Sequence, residues 1–140
     1  MIAQFGGDSG TLRRPVTHGA AMGDFKQLVA WQKAHAYALA VHGAFAGRRA
    51  NVATGSRAQI LRAVNSIPDS LAEGCAKRSR RELARYADIA YGSAKEVENQ
   101  LIKARDLRIL STDVAAELLH QGDTVSALCY ALSRVPPNAP

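Results

Sequence analysis

Between Ser79 and Leu110, in "SRRELARYADIAYGSAKEVENQLIKARDLRIL", apolar residues return in alternating steps of four and three: Leu83, Ala87, Ala90, Ala94, Val97, Leu101 and Ala104. That period puts them on one stripe of a long helix, as in the seam of a left-handed helical bundle. A stripe rich in alanine lets the next helix come close. The period is incompatible with the alternation of a half-buried strand. Ser79 is the expected N-cap, with Glu82 reaching back to close a capping box. Gly92 falls on the far side of the seam, where a glycine costs about 1 kcal/mol relative to alanine. A second close contact is expected there.

Such a stripe must be covered, and three further amphipathic segments are present to cover it. The first is expected from Asp24 to Phe45, with a box-like Asp24–Gln27 pair and an apolar face of Trp31, Ala34, Ala38, Val41 and Phe45. It ends in the loop "GRRANVATG", which contains Arg48 and Arg49. The second is expected from near Ser56, with Gln59 as its box partner, through "RAVNSIPDSLAEG". There Ile60, Val64, Ile67, Leu71 and Cys75 fall within about 80° of arc. Pro68 has no N–H for the Val64 carbonyl and bends this helix. The last runs from Thr112 to about Arg134 with Val114, Leu118, Val125, Leu128 and Leu132 on its seam, and "VPPNAP" stops it.

The reading is all-α: an antiparallel up-down four-helix bundle with a proline-bent second helix over residues 22–135. Residues 1–21 read as a flexible leader and 136–140 as a C-terminal tail. Met22 opens the regular sequence and is a candidate start codon, a point settled by the N-terminal mass of the native protein.

Composition bounds the function. Hydrophobic residues make up 47% and aromatics 6% of the chain, a globular balance suited to close helix packing. No apolar run is long enough to span a membrane. Cys75 and Cys129 form no Cys-x-x-Cys pattern and read as reduced, buried thiols of a cytoplasmic protein. The net charge of +6 and pI of about 9.7 attract polyanions.

Two constellations stand out. Arg62, Ser66, Asp69 and Glu73 line the polar side of the second helix, with Ser70 beside them. Ser93 and Glu96, on a stripe with Ile89 and Gln100, can face them from the third helix. If the two stripes face each other, Arg62 can pair with Glu96 or Glu73; a structural or subunit-interface role is expected, with ligand contact or plain solvation as the alternatives. Neither serine has a histidine near it in sequence, so no nucleophile is expected. The other constellation is the basic run Lys77, Arg78, Arg80, Arg81 and Arg85 at the start of the third helix. It suits sequence-independent phosphate contact, with Tyr86 the only aromatic residue interleaved. Glu117 and His120 have the Glu-x-x-His spacing of di-iron bundles, but no second pair exists and both point away from the seam. No metal, cofactor or catalytic reaction is expected.

The segments "LVAWQKA", "RAVNSIPDSLAEG", "SRRELARYADIAYGSAKEVENQL" and "KARDL" resemble the four-helix-bundle proteins encoded by intervening sequences of bacterial 23S ribosomal RNA. The similarity covers Phe25 to about Leu132. It rests on Ser66-Ile67-Pro68, Ala72-Glu73-Gly74 and Gly92-Ser93 with Glu96. The family usually has asparagine where this chain has Ser70. The resemblance implies a homopentamer. It also implies a distant relation to the accessory protein of diversity-generating retroelements, a basic pentamer that binds nucleic acid and a reverse transcriptase. The expected function is therefore that of an RNA- or DNA-associating accessory or scaffold protein, with a purely structural or protein-interaction module as the alternative.

Overall fold

The computed structural model describes residues 23–46, 54–136 and 140, and the side chains of these apart from 54–56. The leader 1–21, and Arg48 and Arg49, lie outside the described residues. Four helices follow in order: α1 (Val29–Phe45), α2 (Thr54–Cys75), α3 (Arg80–Asp106) and α4 (Thr112–Ser133). Among the described residues there is no strand, and no helix is long and apolar enough to cross a membrane.

The helices form a square. Helix α1 packs on α2 and α4, α2 on α3, and α3 on α4, while the diagonal pairs do not approach one another among the described residues. Matched hydrogen bonds give the directions. Gln59 meets Gln100 and Ser66 meets Ser93, so α2 and α3 are antiparallel. Arg80, at the start of α3, reaches the carbonyls of Leu132 and Arg134 at the end of α4.

The α3 seam is buried in full, from Leu83 to Ala104. So are Ile60, Val64, Ile67, Leu71 and Cys75 of α2. Pro68 lies inside α2 and is itself buried. At the end of α2, a Cβ on Gly74 would stand 2.8 Å from Tyr86 Cβ, so the small residue allows α2 and α3 to converge.

Several local expectations are corrected. Asp24 caps a 3-10 turn, Phe25–Gln27, by accepting from the Lys26 amide, and α1 begins only at Val29. Trp31 is half-buried, stacked on His35 and edge-on to Phe25, while Tyr37 takes the deep position. On α4 the core residue is Ala115, and Val114 is exposed. Helix α3 stops at Asp106, short of Leu110. Arg108 adopts φ 59°, and the amide of Ile109 donates back to the Ala104 carbonyl at 2.8 Å. This is a Schellman-type end with arginine where glycine is usual, so the sequence carries no glycine to mark it.

Where α1 meets α4, the Tyr37 hydroxyl faces Gly122, whose Cβ would lie 2.6 Å from it. That hydroxyl is buried without a hydrogen-bond partner. Burial, with Glu98 and Asp123 nearby, raises its pKa. Burial also pushes the thiols up, Cys75 to about 11 and Cys129 to about 12.

Candidate nucleic-acid interface

The basic run does not stay together. Ser79 caps α3 by accepting from the Glu82 amide at 3.1 Å, and the Glu82 carboxylate accepts from the Arg78 amide at 3.1 Å. This box fixes where α3 starts and therefore which way each following side chain points. Arg78, Arg81 and Arg85 are exposed. Lys77 is half-buried, its ammonium 5.3 Å from the Tyr86 ring centroid.

Arg80 departs from the expected solvated corner. It is only 6% exposed. Its guanidinium donates to the Leu132 carbonyl at 2.6 Å and the Arg134 carbonyl at 3.4 Å. The reason is positional: Arg80 lies at the α4 edge of the α3 seam, where the final carbonyls of α4 lack intrahelical partners. A cation there also meets the negative end of the α4 dipole. Burial lowers its pKa.

The polar stripe also divides. Ser93 donates to Ser66 at 2.9 Å, so the α2 and α3 stripes do face each other at this point. Arg62, Asp69, Glu73 and Glu96 are exposed, and no ion pair joins Arg62 to Glu96 or Glu73 among the described residues. Water solvates those charges well, and an exposed pair gains little to offset ordering two long side chains. Ser70 is turned into the bundle and buried.

Comparison with known proteins identifies the scaffold. The 23S rRNA-intervening sequence protein family matches residues 26–131. The chain belongs to that family. A solved structure from the S23 ribosomal protein family of Bacteroides thetaiotaomicron, described as a protein with unknown function, superposes with a TM-score of 0.69. At 17% identity it covers 76% of this chain and 100% of its own, which supports the fold alone. No curated protein matches.

On this intervening-sequence protein, folding also brings aromatic residues and cations together where α3 meets the end of α4. Tyr91 of α3 and Tyr130 of α4 lie 5.5 Å apart, centroid to centroid, tilted by 54°. The Lys95 ammonium is 5.5 Å from the Tyr91 centroid, and the Arg134 guanidinium 5.5 Å from that of Tyr130. Arg134 also donates to the Tyr130 hydroxyl at 2.7 Å. A sequence signal for this exists: Tyr91–Lys95 and Tyr130–Arg134 share one aromatic-to-cation step of a helical turn.

Helix α3 offers a different surface away from its seam. Ile89 is 54% exposed, and a Cβ on Gly92 would meet nothing within 4 Å. Among the described residues, then, no close approach accounts for Gly92. Between α1 and α2 lies an open groove of about 630 Å³, lined by Trp31, His35, Leu39, His42 and Pro68 among others. The His42 ring donates to the Asn65 side-chain carbonyl at its edge, at 2.8 Å.

Proposed function

We propose that this protein is a non-catalytic, homo-oligomeric accessory protein that associates with RNA or DNA through the α3 N-terminus. One observation carries the reading. Arg78 and Arg85 project into solvent near a helix N-terminus, whose dipole has the same sign as their charge. Exposed Arg81 lies between them. Cations at this end do not help the helix, whereas a phosphate is attracted by both the side chains and the dipole. A single corner of this kind binds weakly. A ring of copies, five in the assembly that the resemblance implies, multiplies it through effective concentration. The exposed Ile89 beside the open backbone at Gly92 supports burial of that α3 face against a second copy.

Filter binding to mixed RNA and to duplex DNA at low and moderate salt tests the reading, with light scattering on the same sample. The expected result is retention that falls steeply with salt, by a protein whose mass exceeds the monomer's. Absence of salt-sensitive binding at low ionic strength overturns nucleic-acid association. An oligomer without such binding favours the protein-interaction module instead.

A further inference from the structure

We infer that the nucleic acid taken by this corner is single-stranded, with an unpaired base stacking on Tyr130. The inference rests on the nucleic-acid reading above and adds the substrate class to it. Tyr130 is 47% exposed, a large ring left open to solvent over much of its surface. Tyr91 supports it from α3 at a 54° tilt, so the two rings form a step and not a closed parallel stack. Arg134 holds the hydroxyl end of Tyr130, which fixes the ring at the α4 terminus.

Arg80 explains why this ring belongs to the basic corner. By gripping the carbonyls of Leu132 and Arg134, it holds the end of α4 against the first turn of α3. Arg134 is thereby brought to the first turn of α3, and Tyr130, one turn earlier on α4, is held next to it. On the α2 flank, Lys77 over Tyr86 repeats the cation–ring pairing. Exposed cations with ring surfaces on both flanks are the elements of single-strand binding: phosphates on the cations, bases on the rings. A duplex keeps its bases stacked on each other and would engage only the cations.

The surrounding charges set a direction. Lys95 is tied to Glu98 at 3.0 Å, and Asp88 is exposed one turn before Tyr91. The Tyr91 end of the step is therefore poor in free positive charge. The backbone of the strand runs past Arg78, Arg85 and Arg134, and the base reaches inward to Tyr130.

The test is fluorescence anisotropy of labelled oligo(U), oligo(dT) and a mixed-sequence duplex DNA of equal length, at one low salt concentration. Wild-type protein should bind both single strands more tightly than the duplex. Replacing the ring with an aliphatic side chain, Tyr130→Leu, should weaken single-strand binding about five-fold or more and leave duplex binding unchanged. Tyr130→Phe keeps the ring and should retain the preference. Circular dichroism and thermal melting separate this from unfolding. Equal wild-type affinity for single strand and duplex overturns the inference while leaving the nucleic-acid reading in place, as does undiminished single-strand binding by folded Tyr130→Leu. Binding to neither overturns both.

Discussion

The two ends of α3 both carry basic residues, but the physics treats them in opposite ways. At the C-terminal end Lys103 and Arg105 lie in the last turn, where the dipole favours positive charge. Arg105 is also paired with Asp106 at 3.0 Å. Folding alone is reason enough for cations there. At the N-terminal end the only acidic residue of the first turn is Glu82, and it serves the capping box. Arg78 works against the dipole and Arg85, a turn further on, gains nothing from it, so their placement calls for a reason outside the isolated chain. Arg80 is the exception that folding does use, because it completes the end of a different helix.

The largest effect should come from that exception. Arg80→Met keeps most of the buried bulk but leaves the Leu132 and Arg134 carbonyls without their charged donor. Hydrogen bonds from a charged group contribute about 2 kcal/mol, and urea unfolding should show a loss of that size. If Arg78→Ser cost as much, the division between inward and outward arginines would be wrong. A block substitution of the whole basic run would mix this folding loss with any binding loss, so Arg80 must be left intact when binding is tested.

The opposite end offers a gain. Arg108 occupies the left-handed region at φ 59°, where a residue with a Cβ pays about 1 kcal/mol or more. Arg108→Gly should raise stability by about 1 kcal/mol, read as a higher melting temperature. A lower melting temperature would mean that the arginine side chain makes an interaction worth more than the strain.

These two ends also show what the sequence reveals and what it hides. Period is legible at long range: all seven seam residues of α3 and the five of α2 are buried as their spacing predicts. The Ser79–Glu82 cap is legible because its chemistry is local. The helix end at Asp106 is not, since arginine holds the position where glycine would signal a stop. Arg80 is hidden in another way, because a run of like charges suggests one solvated surface. Its inward turn depends on the end of α4, more than fifty positions away. The same distance conceals the approach of Arg134 to Arg80. Gly122 gives no signal either, because its role is set by the Tyr37 hydroxyl that α1 brings against it.

The binding contrast between the two ends is next in size. Arg78→Ser with Arg85→Ser should change folding stability by no more than about 1 kcal/mol, the ceiling of the dipole effect at one exposed site. The salt dependence of single-strand binding should become shallower by about 0.7 in log–log slope for each phosphate that the variant no longer neutralises. The matched pair Lys103→Ser with Arg105→Ser should leave that slope unchanged. A similar loss from both pairs would show that net charge, and not the corner, drives the association.

The smallest effect is the most specific, because it is one of sign. Arg78 immediately precedes the N-cap of α3 and Lys103 lies in the last turn, both exposed. Removing a cation beside the positive end relieves a repulsion, and removing one beside the negative end forfeits an attraction. Each is worth about 0.3–1 kcal/mol at low ionic strength. Arg78→Ser alone should therefore raise the melting temperature slightly, while Lys103→Ser lowers it. Salt screens exposed charges, so both shifts should shrink together as ionic strength rises. Neither side chain is buried in the core, which leaves the dipole as the main difference between the two sites. If Arg78→Ser instead destabilises the protein and the loss persists in high salt, the arginine holds a structural interaction. The N-terminal cations would then be explained by the fold, and the strongest physical reason for assigning them to phosphate would be lost.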